Sequence, residues 1–62
     1  MRDMILKSME DFYKGCISVA TTEIEMLLEY HEKTSIEELD GLIKDLVQYQ
    51  AKLESLAGFM EN

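Results

Sequence analysis

Between positions 35 and 60 three columns of residues recur every seven positions, and nearly every member is apolar: Leu39, Leu46, Leu53 and Met60; Ile36, Ile43, Gln50 and Ala57; Leu42, Tyr49 and Leu56. At about 100° per residue these columns merge into one stripe roughly 160° wide, with Glu37, Lys44, Gln48 and Ser55 on the opposite face. The pattern predicts an amphipathic helix over about 36–57 that needs a partner for one face. Ser35 followed three residues later by Glu38 matches a capping box, and Thr34 with Glu37 offers the same device one residue earlier. Gly58 is well placed to end the helix; if the helix runs on, Phe59 projects roughly opposite the seam.

Positions 2–32 read as a first helix. Leu6, Tyr13, Ala20 and Leu27 form one column and Met9, Cys16, Glu23 and Tyr30 a second, at the alternating three- and four-residue spacing of a coiled-coil-like seam. A third column, Ile5, Phe12, Val19 and Met26, lies beside them, and Ile17, Ile24 and Leu28 stand on the other flank. The apolar arc exceeds 180°, wider than a single neighbouring helix covers, so this helix is expected to touch at least two others. Gly15 costs about 1 kcal/mol relative to alanine in a helix interior. With Ser8 and Asp11 as an imperfect cap, it leaves a bend near position 15 open. The β-branched residues of 16–22 favour a strand, but no second strand is there to pair with, and the stretch stays helical.

The expected architecture is therefore all-α: an antiparallel two-helix hairpin with its turn at 31–35, completing a four-helix bundle as a dimer or with a helical partner. Its expected oligomer core is Leu6, Tyr13, Ala20, Leu27, Leu39, Leu46 and Leu53. Sixty-two residues permit one domain, and a chain this short builds a small core unless it is stapled, metal-bound or oligomeric. The single cysteine, Cys16, excludes an intramolecular disulfide, and with the single histidine, His31, it does not make a zinc set. Oligomerisation or a partner remains. Cys16 is expected to be structural, His31 to cap the end of the first helix, and Glu23 and Gln50, polar at seam positions, to fix register.

Charge sharpens the functional reading. The net charge is −7, yet the first twenty residues balance; Glu23, Glu25, Glu29, Glu32, Glu37, Glu38 and Asp40 crowd the middle of the chain against Lys33 alone. Such a field repels nucleic-acid phosphate and attracts basic surfaces, so direct nucleic-acid binding is not expected. The first twelve residues are too charged for a signal peptide and no run approaches 18 apolar residues, which points to a cytoplasmic protein without a membrane association. No catalytic, cofactor-binding or metal-binding residues are expected. Glu25 and Glu29 lie four residues apart on a solvated face that also suits electrostatic docking. The expected partner-binding set is Ile5, Phe12, Val19, Met26, Glu25, Glu29, Glu32 and Phe59, with Met1, Met4, Val47 and Met60 adding apolar surface.

Three resemblances bear on this expectation. The hairpin resembles the small dimeric regulators of plasmid copy number in architecture, but those bind RNA through basic first helices, whereas here only Arg2, Lys7 and Lys14 are basic and the rest is acidic. Ser35-Ile36-Glu37-Glu38-Leu39-Asp40 looks like the Ser-x-Glu-Leu-Asp signature of small sporulation phosphatases, with one residue more after the serine. It implies an alternative function, hydrolysis of a phosphorylated aspartate with Asp40 essential. Tyr49-Gln50-Ala51-Lys52-Leu53 is similar to a segment of type III secretion needle subunits, and the hairpin to their small helical chaperones. None assigns a family. The expected function is a non-enzymatic, acidic interaction module, an inhibitor, antirepressor, co-chaperone or assembly adaptor occupying a protein partner's basic or apolar surface. A nucleic-acid mimic is its charge-led alternative.

Overall fold

The computed structural model describes residues 1–30 and 35–61. They form two helices, α1 (Arg2–Tyr30) and α2 (Ile36–Met60). Their pairing is antiparallel: the Arg2 guanidinium donates to the Phe59 carbonyl at 2.9 Å, and midway along the hairpin the Tyr13 and Tyr49 rings lie 6.5 Å apart. The result is a rod of 47 × 15 × 12 Å, close to the roughly 43 Å of a 29-residue helix at about 1.5 Å per residue. The expected hairpin is thus present. His31 and Thr34 as caps, Glu32 as a partner contact and most of the expected turn lie outside the described residues.

Ser35 begins α2. Its backbone is extended (φ −78°, ψ 149°) and its hydroxyl accepts the Glu38 amide at 3.0 Å, satisfying one of the amides that the first helical turn leaves open. Glu37 and Glu38 add negative charge at the positive end of the helix dipole. Ser35→Ala is expected to cost about 1 kcal/mol and Ser35→Gly only a few tenths, as read by urea denaturation followed at 222 nm.

At its other end α2 runs past the expected stop. Gly58 does not adopt positive φ, so no left-handed cap forms there, and the Glu61 amide continues the helical pattern by donating to the Ala57 carbonyl at 3.1 Å. The last turn of α2 contains no basic residue. Arg2 supplies one from α1 through its bond to Phe59, a tertiary cap of the kind a basic side chain makes at a helix C-terminus. The expected bend near Gly15 is also absent: α1 is continuous, and a Cβ built on Gly15 meets nothing within 4 Å.

Along the contact between the helices, α1 contributes Leu6, Glu10, Tyr13, Ile17, Ala20, Ile24 and Leu27, and α2 contributes Leu39, Leu42, Leu46, Tyr49, Leu53 and Leu56. Both sets step by threes and fours. Among the described residues only Ala20 (7% exposed) and Leu56 (6%) are buried; the others are half-covered. All seven expected core residues fall on this contact. The second expected column of α1 does not. Met9, Glu23 and Tyr30 are exposed and Cys16 sits on the flank, while Glu10, Ile17 and Ile24 take the inner positions. An inward Glu23 would strip a carboxylate of water without a partner, whereas Ile17 and Ile24 bury branched hydrocarbon at the same height. The register role expected of Glu23 and Gln50 is accordingly not played within the hairpin, where both are exposed.

Candidate interaction groove

Turning the inner seam toward Ile17 and Ile24 leaves the third column of α1 without cover. Ile5, Phe12, Val19 and Met26 are each more than half exposed, at 54%, 62%, 58% and 53%. They stand at one rim of a long depression beside the line where α1 meets α2. Met9 and Cys16 form its inner slope on α1; the α2 wall carries Leu42, Asp45, Tyr49, Lys52, Leu56 and Phe59. The central portion alone encloses about 530 Å³ between Phe12, Cys16 and Val19 on one side and Leu42, Asp45 and Tyr49 on the other. The expected partner-binding residues Ile5, Phe12, Val19 and Met26 therefore line one apolar face, and Phe59 joins it, contrary to the expectation that a continuing helix would turn it away: three residues after the buried Leu56, it stands on the groove flank of the seam.

The floor of the groove is aromatic. Phe12 lies 5.8 Å from Tyr13, Tyr13 lies 6.5 Å from Tyr49, and the Lys52 ammonium stands 5.4 Å from the Tyr49 ring centre. These separations suit tilted aromatic pairs and a cation over a ring face, and they tie the exposed Phe12 through the seam to α2. The Cys16 sulfur, by repulsion of the phenolate and by its hydrogen bond, raises the Tyr49 pKa from its ordinary 10.0, followed by partial burial and the nearby Asp45 carboxylate. Tyr49 thus stays a neutral hydroxyl through the physiological range. Cys16 is half-buried in this position, in keeping with a packing role.

Sequence reasoning missed Glu10. Its side chain is 20% exposed in the inner seam and is held by Lys7 at 3.0 Å and Lys14 at 3.7 Å on its own helix, while Lys7 also reaches Asp11 at 3.5 Å. The spacing of Lys7, Glu10 and Lys14, three and four residues apart, was the available signal. The hydrogen bond from Lys7 lowers the Glu10 pKa against the opposing effect of burial, with the Lys14 charge assisting. A carboxylate whose pKa is depressed by folding contributes stability above its ordinary value of 4.5 and loses it as pH falls through the lower folded value. Acidification across that window is expected to lower the melting temperature of the wild type more than that of Glu10→Gln, by circular dichroism. Equal slopes would show that the network contributes nothing.

At the turn end, Glu23, Glu25, Glu29, Glu37, Glu38 and Asp40 are all exposed, so the acidic patch expected from the sequence occupies one end of the rod. Glu25 and Glu29 lie on the solvent side of α1 near that end. Among the described residues no group of three histidine, cysteine or acidic side chains is placed to hold a metal ion, and no helix is long and apolar enough to cross a membrane.

The exposed surface measures 5082 Å². A compact monomer of 7.2 kDa is expected to expose about 4,100 Å². The excess, on the order of 1,000 Å², is comparable with the roughly 800 Å² that one partner contributes to a standard protein interface. No family model, curated protein or solved structure matches the chain.

Proposed function

We propose that the protein is a non-enzymatic interaction module: a half-bundle whose groove is covered by partner helices and whose acidic end docks on a basic protein surface. The observation that carries this reading is the uncovered column Ile5, Phe12, Val19 and Met26. Four large apolar side chains at heptad spacing on one face of a regular helix form a contiguous apolar patch, and such a patch on a small protein marks an interface. Its shape, long and straight with anchors at every second turn, suits a helix laid along it.

The acidic end supplies direction. Glu23, Glu25, Glu29, Glu37, Glu38 and Asp40 present exposed carboxylates within one end of a narrow rod, and such a field raises the encounter rate with a basic partner and repels phosphate. An inhibitor, antirepressor, co-chaperone or assembly adaptor uses these two surfaces together. In the charge-led version, the carboxylates compete for a nucleic-acid-binding site.

Capture from host extract by the immobilised wild type, repeated with Phe12→Asp/Val19→Asp and with Glu25→Gln/Glu29→Gln, tests the reading and separates its versions. A partner lost with the apolar pair but held at higher salt supports groove binding. One lost with the acidic pair, and released between about 50 and 200 mM salt, supports the charge-led version. A partner retained equally by every variant, or no partner at all, contradicts the proposal.

A further inference from the structure

Building on the interaction-module reading, we infer that the groove is filled by a second copy of this chain, related by a two-fold axis that crosses α1 between Gly15 and Cys16 and α2 beside Tyr49, so that α1 lies antiparallel on the partner's α1 and α2 on the partner's α2.

The groove residues are placed symmetrically along each helix. On α1, Ile5 and Met26 are equidistant from the point between Gly15 and Cys16, and so are Phe12 and Val19. An antiparallel copy centred there sets Ile5 against Met26 of the partner subunit and Phe12 against Val19 of the partner subunit, apolar on apolar throughout. On α2 the two charged groove residues, Asp45 and Lys52, are equidistant from the point between Gln48 and Tyr49. An antiparallel α2 therefore brings Asp45 against Lys52 of the partner subunit and the reverse, two ion pairs from one symmetric contact.

The two centres come from different residues on different helices, and they lie within one helical turn of each other along the rod. Gly15, Cys16 and Tyr49 line the same central depression, and the Tyr13 ring lies 6.5 Å from the Tyr49 ring, which puts the midpoint of α1 close to the midpoint of α2. One axis perpendicular to the rod serves both helices. A mismatch of even one helical turn would have required two different dimers.

Three further observations agree. Gly15 stands at the crossing point of a continuous helix with open space around it within the hairpin; a residue without a side chain there lets a second backbone approach closely. Charge also selects the antiparallel arrangement. A parallel pairing of α1 would stack Glu23, Glu25 and Glu29 on their own copies, whereas the antiparallel one sets them beside the end that carries Arg2 and Lys7. The area agrees as well, since the excess exposed surface matches one subunit's share of a standard interface. In this dimer the acidic ends point outward at opposite extremities, free for the docking proposed above.

Site-directed crosslinking tests the geometry. In a Cys16→Ser background, chains carrying Ile5→Cys are mixed with chains carrying Met26→Cys and oxidised. The expected product is the mixed disulfide, with little linkage in either chain alone. In parallel, Asp45→Lys is expected to weaken self-association by roughly threefold to tenfold, and Asp45→Lys/Lys52→Asp to restore it, with helicity by circular dichroism confirming that each variant folds. Crosslinks of Ile5→Cys to itself, or no rescue by the charge swap, overturn this dimer. A monomeric chain whose groove binds a different protein overturns the inference too, while leaving the interaction-module reading standing.

Discussion

Leu56→Ala is expected to remove about 2–4 kcal/mol of stability, enough to leave much of the chain unfolded at room temperature. Leu56 is the most buried side chain among the described residues at 6% exposure, packed near the open end of the hairpin where Leu6 and Tyr13 approach it. A chain of this length has a total stability on the order of 3–9 kcal/mol, and no second core absorbs the loss. Urea denaturation followed at 222 nm reads the change. Val47→Ala provides the contrast, because Val47 is 55% exposed and its truncation should stay within about 0.5 kcal/mol. A loss below about 1 kcal/mol for Leu56→Ala would place the stabilising contact elsewhere.

Phe12→Ala carries the second large effect, and its sign discriminates. In an isolated hairpin Phe12 is 62% exposed; alanine is the better helix former, so the substitution should stabilise by a few tenths of a kcal/mol. In a covered groove the ring is buried, and its removal should destabilise the assembly by about 3 kcal/mol or more. The expected result is the loss, accompanied by a shift toward monomer. The same substitution in a background already dissociated by Gly15→Leu should show the opposite sign, since Gly15→Leu fills open space in the hairpin and blocks close approach of a second helix.

The two helices and their antiparallel pairing were legible because the heptad columns of α2 are nearly all apolar and the Ser35 cap is a local device written within four residues. The seam of α1 was half legible. Leu6, Tyr13, Ala20 and Leu27 lie at the centre of an arc wider than one neighbour fills, so any choice of orientation keeps them inside. Which flank turns inward was not legible: Cys16 with Met9 and Ile17 with Ile24 have the same periodicity, and the choice is decided by the better burial of two isoleucines and by the carboxylate of Glu23, both of them tertiary effects. Glu10 escaped notice for a related reason. A charged residue at a contact position reads as surface until Lys7 and Lys14 are seen to reach it. Gly58 misled because a glycine permits a left-handed cap without requiring one, and Arg2, distant in sequence, stabilises the extra turn of α2.

The groove, too, was legible on one helix and hidden on the other. The excess of apolar residues on α1 announced an uncovered face, and Ile5, Phe12, Val19 and Met26 were identifiable by their column. The contribution of α2 was hidden, since Asp45 and Lys52 look like ordinary surface charges until the hairpin sets them beside Tyr49 and opposite that column.

Sedimentation equilibrium of the purified chain at micromolar concentration tests most directly whether the hairpin leaves a face that association must cover. The prediction is a helical species of twice the 7.2 kDa chain mass that dissociates on dilution. A species of 7.2 kDa throughout the micromolar range, with no dimer at any concentration, would contradict it.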